Sequence, residues 1–335
     1  MRGDTILLDH GSGGLASRQL VEEVLLPRLR NPILECLNDH AELQVDAGRL
    51  AFTTDSYVVD PLFFPGGDIG MLAVNGTVND LAMGGAHPIA LSVGLILEEG
   101  LSVAVLEQVI DSLAKAAAEV GVPVVTGDTK VVARGSADKL FINTSGVGVI
   151  RSGVHLSADR ARTGDRVVLS SPVGAHGVAV MAQRQGLDFA VKCRSDTAPL
   201  HGLVAAMLDA YPDIHCLRDP TRGGLAATLN EIASQSRVRM EVDETLIALG
   251  EGVESACELL GFDPLHLANE GALVAVVPEQ GVDRVLAAMR SHVYGAQARV
   301  IATVVQGDPR VVLRTTIGGK RVLAVPTGAL LPRIC

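Results

Sequence analysis

Residues 106–130, LEQVIDSLAKAAAEVGVPVVTGDTK, join an amphipathic helix to a buried strand and indicate the fold class. The helix is predicted from apolar residues at three- and four-residue spacing, Leu106, Val109, Ile110 and Leu113. Gly121 and Pro123 end it, and residues 122–125 form an apolar run of strand length. A helix that leads directly into a buried strand is typical of proteins in which helices and sheets pack as layers.

The rest of the chain continues this mixture of helices and strands. In the first half, strands are predicted over 50–59 and 140–150 and a helix over 69–83. The second half follows a loosely similar order, with strands over 165–171 and 273–277, helices over 199–210 and after 219–224, and a hairpin at Gly318-Gly319. We therefore expect an α+β protein with a domain at 1–155, a second at 156–325 and a mobile tail at 326–335 that has little to pack.

Composition narrows the class of function. Of the 335 residues, 48% are hydrophobic and 20% charged, enough for a sizeable core in a soluble protein. The net charge of -10 argues against a nucleic-acid or anionic-membrane surface. No signal peptide or membrane-spanning run is evident, and the five cysteines form no CxxC pair. A cytoplasmic protein with reduced thiols is expected.

Acidic residues stand at or near the ends of several predicted elements. Asp55, Asp80 and Asp128 follow this rule, and the amides of Asn75 and Asn79 share one helix face close to Asp80. Mg²⁺ takes oxygen ligands of this kind from separate elements and also binds phosphate. Each aspartate taken singly is better explained as a cap or turn former, and Asp219 is the best candidate for a plain cap.

A nucleotide site, if there is one, needs an unusual construction here. The chain has no Walker A loop and no dinucleotide fingerprint after a strand. Metal, glycine backbone such as Gly127, and Lys130 would have to hold the phosphates. Glu270, between Asn269 and Gly271, is a candidate general base. Lys130 taken alone is better explained as a solvated loop residue, and the alternative for Glu270 is a carboxylate in a turn.

Cys335 is the last residue, which excludes a prenylation motif because that needs its cysteine four residues from the end. A ten-residue tail reaches roughly 30 Å at about 3.3 Å per residue, enough to carry a sulfur-bound group between sites. An incidental tail thiol is the alternative, although an exposed thiol on a mobile arm is a liability unless it is used. The other four cysteines, Cys36, Cys193, Cys216 and Cys257, are expected to be core or surface thiols.

Several stretches together carry a family resemblance that spans essentially the whole chain. They are HGSGG (10–14), TTDSYVV (53–59), VNGTVNDLAM (74–83), GDTKV (127–131), DPTRGG (219–224), NEG (269–271) and the terminal PRIC (332–335). In this order they resemble the HypE family of hydrogenase maturation factors, which are carbamoyl dehydratases. The terminal tetrapeptide is the most specific motif. The others are shared more loosely with aminoimidazole ribonucleotide synthetase, selenophosphate synthetase and thiamine-monophosphate kinase.

The resemblance implies a fold and a site. N-terminal strands would form a barrel across a homodimer, a C-terminal α/β sandwich would pack beside it, and ATP would lie in the cleft between them. Mg²⁺ would be held by Asp55, Asp80 and Asp128. The nucleotide site would also include Asn75, Asn79 and Gly127, and Lys130 and Glu270 would stand near the modified Cys335. Ala175 departs from the family pattern, because many relatives have a polar residue at this position.

The implied reaction is ATP-dependent dehydration of a carboxamide on Cys335 to a cyanate, which would supply cyanide ligands to the iron of [NiFe]-hydrogenase. A carbamoyltransferase, HypF, would load the cysteine, and a HypC–HypD complex would accept the product. Two alternatives remain open. A kinase or synthetase of a free small molecule would share the nucleotide site without needing Cys335, and a non-catalytic scaffold would bind partners through the tail without consuming ATP.

Overall fold

The computed structural model describes residues 5–7, 10, 19–34, 48–187, 193–325 and 333–335, and the first half of this chain is built on a four-stranded sheet. A π-helical turn, Val21–Leu25, runs into the short helix α1 (Leu26–Leu29). The following elements are β1 (Leu50–Tyr57), β2 (Phe63–Phe64), β3 (Gly67–Asp68), α2 (Ile69–Met83), β4 (Ala86–Glu98), α3 (Val103–Val120), β5 (Val124–Val132) and β6 (Leu140–Ile150). The predictions for the helix over 69–83 and the strand over 140–150 are confirmed.

The strand order in this sheet is β1-β6-β4-β5, so β1 and β5 are its two edges. β4 and β5 run parallel because α3 connects them, and the other neighbours are antiparallel. Apolar side chains remain exposed on the sheet, with Phe52 at 71% and Leu50 at 50%. The described strands form an open sheet, so the predicted barrel is absent from the single chain.

Helix α2 is enclosed on nearly all sides, and this position brings polar side chains into the interior. Asp68 caps its first turn, because the Oδ1 atom accepts hydrogen bonds from Gly70 N at 2.8 Å and Met71 N at 3.1 Å. The helix packs on the sheet and on the second half of the chain. Asn75 and Asn79 are consequently buried, at 3% and 1% exposure.

The second half forms a seven-stranded sheet with helices packed on it. Its elements are β7 (Arg166–Leu169), α4 (Ala175–Gln185), α5 (His201–Ala210), β8 (Cys216–Arg218), α6 (Gly224–Ser236), β9 (Arg239–Asp243), α7 (Val253–Leu260), β10 (Val274–Val277), α8 (Val282–Arg290), β11 (Arg299–Val305), β12 (Arg310–Arg314) and β13 (Lys320–Val322). The strand order is β13-β12-β9-β11-β7-β10-β8. β9 and β12 are parallel and the other pairs antiparallel. The predicted hairpin at Gly318-Gly319 is confirmed as β12 and β13.

The two halves share buried apolar clusters. Ala82 and Met83 of α2 pack with residues of α5 and β10, and Val180 of α4 packs into the N-terminal core. The mixed α and β architecture is therefore confirmed, and the boundary at 155/156 stays a prediction. None of the described helices has both the length and the hydropathy required to cross a membrane.

Two local predictions were wrong. Asp128 and Lys130 were expected at the end of a short strand, but β5 continues through both because it pairs with β4 in the register Gly94 to Asp128 and Ile96 to Lys130. The tail was expected to have little to pack, yet Ile334 is only 4% exposed within the N-terminal core. Residues 326–332 lie outside the described residues, so mobility of the tail stays a prediction.

Candidate active site

Four carboxyl groups from separate elements meet where the two halves pack together. Asp55 lies on β1, Asp80 on α2, Asp219 in the loop before α6 and Glu270 in the loop before β10. Burial and then the neighbouring carboxylates raise the pKa of Asp219 to about 7 and that of Glu270 well above its usual range. Carboxyl groups perturbed in this way are typical of functional sites.

Asp80 is held in place by a neighbouring strand. Thr53 Oγ1, on β1, donates a hydrogen bond of 2.8 Å to Asp80 Oδ2. Burial, followed by the charge of Asp55, raises the pKa of Asp80, while the Thr53 hydrogen bond opposes the shift. Asp55 and Asp80 therefore lie close enough to interact electrostatically, and their role as ligands of one cation stays a prediction.

Asp219 belongs to this cluster, and the interpretation of it as a helix cap was wrong. α6 begins at Gly224, its N-cap is Gly223, and no side chain caps the helix. Asp219 instead interacts with Asp80 and Asp55 from the loop that precedes the helix. The sequence signal was the aspartate that opens the DPTRGG motif, but its acidic neighbours lie far away along the chain.

The loop that carries Glu270 is fixed on both sides. Asn269 Oδ1 accepts a hydrogen bond from Gly174 N at 2.6 Å, and Asn269 Nδ2 donates to Pro220 O at 2.9 Å. The carboxylate of Asp196 accepts from the backbone N–H groups of Glu270 and Gly271, both at 3.1 Å. A Cβ atom at Gly271 would lie 1.7 Å from the Asp196 carbonyl oxygen, so only glycine fits there. Glu270 is therefore presented by a rigid turn.

The two asparagines of α2 fasten the helix to the second half. Asn79 Nδ2 donates to Ala198 O at 3.0 Å, and Asn79 Oδ1 accepts from Leu200 N at 2.7 Å. Asn75 Nδ2 donates to Thr197 Oγ1 at 3.4 Å. These contacts give both side chains a role between the halves, and their contact with a nucleotide stays a prediction.

Asp128 and Lys130 lie away from this cluster. Strand neighbours are spaced by about 4.8 Å, so β5 is roughly 14 Å from β1 across the sheet. Through the paired residues of β4 and β6, Asp128 is aligned across the sheet with Ser56 of β1. Asp55 is the residue before Ser56, so its side chain points to the opposite face of the sheet. The described residues include no group of three or more potential metal ligands. One chain therefore does not bring Asp55, Asp80 and Asp128 together.

The immediate surroundings of Asp128 are on its own strand. Its carboxylate forms an exposed ion pair with Lys130 Nζ at 3.0 Å. Gly127, the residue before it, packs against β4 so closely that a Cβ atom would lie 2.5 Å from Val93 O. This contact explains the glycine structurally, and binding of a nucleotide by Gly127 stays a prediction.

Cys335 lies beside the carboxylate cluster. Its Sγ atom is 3.5 Å from Arg222 Nη2, and its main-chain oxygen accepts a hydrogen bond from Val58 N at 3.1 Å. Burial, and then the charge of Glu270, raises the pKa of the thiol to about 12, while Arg222 opposes the shift. The thiol is therefore neutral near pH 7, and Arg222 and Glu270 are positioned to act on a group attached to it.

Arg222 was not among the residues that the sequence singled out. Its guanidinium stands in the loop that opens α6, three residues after Asp219. The pKa of Arg222 is raised, first by the charge that Cys335 carries when its thiol is ionised and then by the hydrogen bond between them. Asp55 and Glu270 raise it further. Its place in DPTRGG was the available signal, but the contact with the last residue of the chain is not visible in sequence.

Models of two domain families match the chain in order. Residues 37–150 match the N-terminal domain of AIR synthase related proteins, and residues 162–314 match the C-terminal domain of the same proteins. Together the matches cover most of the chain and leave both ends outside them.

Known proteins match over nearly the full length. The carbamoyl dehydratase HypE of Azotobacter vinelandii is 53% identical over 336 residues, with 100% of this chain and 98% of the relative covered. A crystal structure of hydrogenase maturation protein HypE in complex with ATP superposes with a TM-score of 0.96 at 50% identity, covering 99% of this chain and 100% of that one. HypE in a HypE–HypF complex superposes with a TM-score of 0.81 at 45% identity, covering 92% and 99%.

Proposed function

The chain belongs to the HypE family of carbamoyl dehydratases, and on this premise we propose how its residues perform the reaction. It is an ATP-dependent carbamoyl dehydratase of hydrogenase maturation. The substrate is proposed to be the carboxamide carried by Cys335 Sγ. The observation that carries this assignment is the position of that sulfur, 3.5 Å from Arg222 and within the electrostatic reach of Glu270.

The reaction must turn a poor leaving group into a good one. Transfer of the γ-phosphoryl group of ATP to the carboxamide oxygen, with loss of one N–H proton, gives S–C(=NH)–O–phosphate and ADP. Removal of the second N–H proton and cleavage of the C–O bond then give S–C≡N and inorganic phosphate. The net reaction consumes one ATP and removes the elements of water from the carboxamide.

Two residues match the needs of these steps. Arg222 would donate hydrogen bonds to the carboxamide oxygen, where negative charge develops as the phosphate departs. Glu270 would accept the nitrogen protons, and its pinned backbone would fix the carboxylate for that task. Burial and its acidic neighbours raise the pKa of Glu270, which favours the protonated form. Positive charge that enters the cluster would lower this pKa, so that Glu270 ionises and acts as an effective base.

The acidic cluster suits a divalent cation. Asp55, Asp80 and Asp219 influence one another from three elements. The described residues of one chain do not form a group of three that could ligate one ion by themselves, so phosphate oxygens and water would supply the remaining ligands that Mg²⁺ takes. When bound, Mg²⁺ would neutralise phosphate charge and relieve the repulsion among these carboxylates. Asp55, Asp80 and Asp219 would orient the phosphates toward Cys335. Asn75 and Asn79 would keep α2 packed against the second half.

We further propose a homodimer in which the partner's β5 completes the site. The open sheet leaves β1 and β5 as edges, and exposed Phe52 and Leu50 need cover. A second sheet packed to form a barrel would bring Asp128 and Lys130 of one copy toward the cluster of the other. Asp128 of the partner copy would then join Asp55 and Asp80, the ligands that the family resemblance implies. Within a single chain, about three strand spacings separate Asp128 from Asp55.

The relatives suggest the neighbouring steps. A solved structure contains HypE together with HypF, and we propose HypF as the carbamoyltransferase that loads Cys335. A HypC–HypD iron scaffold is proposed as the acceptor of the cyanide, in the cytoplasm.

The decisive experiment is the intact mass of the protein after carbamoylation and addition of Mg·ATP. The expected result is loss of one water from the carbamoylated species, mapped to the peptide that contains Cys335. ATP consumption with a free small molecule and no change in protein mass would favour the kinase or synthetase alternative. ATP binding with neither product would favour the scaffold.

A further inference from the structure

The last three residues occupy a cleft between the two halves, and a main-chain oxygen of each accepts a hydrogen bond. In order from 333 to 335, the three oxygens are contacted by Asp60 N at 3.4 Å, His176 Nε2 at 2.8 Å and Val58 N at 3.1 Å. Two of these donors are backbone groups of the N-terminal half, and the third is a side chain of α4. Arg184, also on α4, donates a further hydrogen bond to the Arg333 oxygen. The cleft therefore binds the main chain of the tail, and His176 holds the oxygen of the residue directly before Cys335.

The contacts of His176 determine which ring nitrogen carries the hydrogen. Thr197 N donates to Ser195 Oγ at 3.1 Å, so the Ser195 hydroxyl is free to donate to His176 Nδ1, 2.8 Å away. His176 Nε2 then carries the hydrogen and donates it to Ile334 O. Burial lowers the pKa of His176 to about 4, so the ring stays neutral in this tautomer near pH 7.

The surroundings keep the ring in this orientation. His176 is fully buried in the first turn of α4, and Phe64 contacts its ring edge-on at a centroid distance of 5.4 Å. Ile334 is held in a second way, because its side chain is buried in the N-terminal core. Cys335 follows directly, so fixing the Ile334 carbonyl limits the positions that the sulfur can reach.

We propose that His176 is a positioning residue that clamps the Ile334 carbonyl and thereby holds Cys335 Sγ at Arg222 and Glu270 during dehydration. The proposal deepens the proposed function and rests on it for the chemistry. Binding of the tail itself does not depend on that chemistry. A clamp on the main chain, rather than on the sulfur, leaves the thiol free to carry hydrogen, carboxamide or cyanate in turn.

The clamp is tested first without substrate, by the rate at which iodoacetamide alkylates Cys335, read by peptide mass. His176→Leu removes the donor and should raise this rate at least about tenfold, because the tail leaves the cleft more often. His176→Gln keeps an N–H donor and should restore most of the protection. His155→Leu removes an exposed histidine elsewhere and should alkylate at the parent's rate.

The second arm follows single-turnover formation of the S-cyanate. His176→Leu should still be carbamoylated and bind Mg·ATP, yet dehydrate about tenfold more slowly or worse, with rescue by Gln. Ser195→Ala, which frees the ring to change tautomer, should give a smaller effect in the same direction and replaces the Leu variant if that does not fold. Parental alkylation and dehydration in both His176→Leu and Ser195→Ala would overturn the clamp. Absence of S-cyanate in the parent would instead overturn the proposed function, and the alkylation rates would still decide the clamp.

Discussion

Arg222 Nη2 lies 3.5 Å from Cys335 Sγ, so within the described part of one chain a cation reaches the sulfur from the loop before α6. Lys130, which the family resemblance placed near this cysteine, lies on β5 at the far edge of the sheet and pairs with Asp128. Positive charge beside a carboxamide oxygen stabilises the charge that develops there. Arg222 is therefore the first residue to test.

Replacing Arg222 by Gln should lower S-cyanate formation by about 10²-fold, the usual effect of losing one donor to a developing oxyanion. Arg222→Lys should recover part of the rate because it keeps the charge but not the planar fork. Single-turnover mass spectrometry at saturating Mg·ATP measures both. Arg310→Gln, which loses only an exposed ion pair with Asp308, is the control and should dehydrate at the parental rate. A parental rate in Arg222→Gln would remove this residue from the reaction.

Cys335→Ala should bind Mg·ATP almost normally and form no S-cyanate. The acidic cluster lies in folded elements that hold their own positions, while alanine offers no sulfur to load. Calorimetry measures the first property and intact mass the second. Cys257→Ala, at a buried thiol of the second half, is the matched control and should still yield product if the protein folds. Cyanated protein from Cys335→Ala would refute the assignment.

Asp80→Asn should weaken Mg²⁺-dependent ATP binding while leaving ATP binding in excess EDTA little changed. The carboxylate is held by Thr53 and faces Asp55, and an amide cannot supply the same charge to a cation. Titration calorimetry with and without Mg²⁺ gives the difference. Asp111→Asn, at an exposed ion pair with Arg28, provides the control. Equal Mg²⁺ dependence in the parent and Asp80→Asn would exclude Asp80 as a ligand.

The pH dependence of thiol alkylation should report whether the tail is bound. Burial and Glu270 raise the pKa of Cys335 to about 12, so the thiolate is scarce in the bound state and alkylation rises only at high pH. Ile334→Asp places a charge in the apolar core and should release the tail. The pKa of the released thiol falls toward about 8.5, and the alkylation profile should move to lower pH. Superimposable profiles from the parent and the variant, measured with iodoacetamide from pH 7 to 10, would show that the tail is not protected.

Local patterns predicted most of the elements but not the spatial grouping of the site. The helix over 69–83 was predicted with both ends because its apolar stripe and flanking residues are local signals. β4 was missed, since Pro88 and Gly94 interrupt its pattern, and the length of β5 depends on pairing with it. Secondary structure of this kind is determined partly by a neighbouring strand that the local sequence does not reveal.

The site shows the same limit more sharply. Asp55, Asp80, Glu270 and Cys335 were chosen from residue type, chain position and resemblance, and the structure brings them together. Asp219 and Arg222 were missed because their partners lie on other elements, so no spacing in the chain records the contact. Asp128 was grouped with the others, but strand order separates it from them within one chain.

That separation leads to a test of the proposed dimer. Lys130→Ala and Glu270→Gln should each abolish most S-cyanate formation when present in both copies of the dimer. If Lys130 acts on the site of the partner copy, a mixed dimer has one site with both substitutions and one with neither. Random exchange of subunits makes half of the dimers mixed, so about a quarter of the parental activity should return.

The control for this experiment is a pair of substitutions within one chain's own site. Arg222 and Glu270 both contact or influence Cys335 of the same chain, so each site of an Arg222→Gln and Glu270→Gln mixture keeps one of the two defects. That mixture should therefore stay as inactive as its components. Recovery is measured as S-cyanate mass after co-refolding or co-expression, with light scattering to confirm dimers. If the mixture of Lys130→Ala and Glu270→Gln recovers no S-cyanate formation while mixed dimers are present, Lys130 does not serve the partner's site. Each copy would then have a complete site of its own, and each of these sites would carry one of the two substitutions. A monomeric parent protein would exclude the shared site outright, and Arg222 would then be the cation that the chemistry requires.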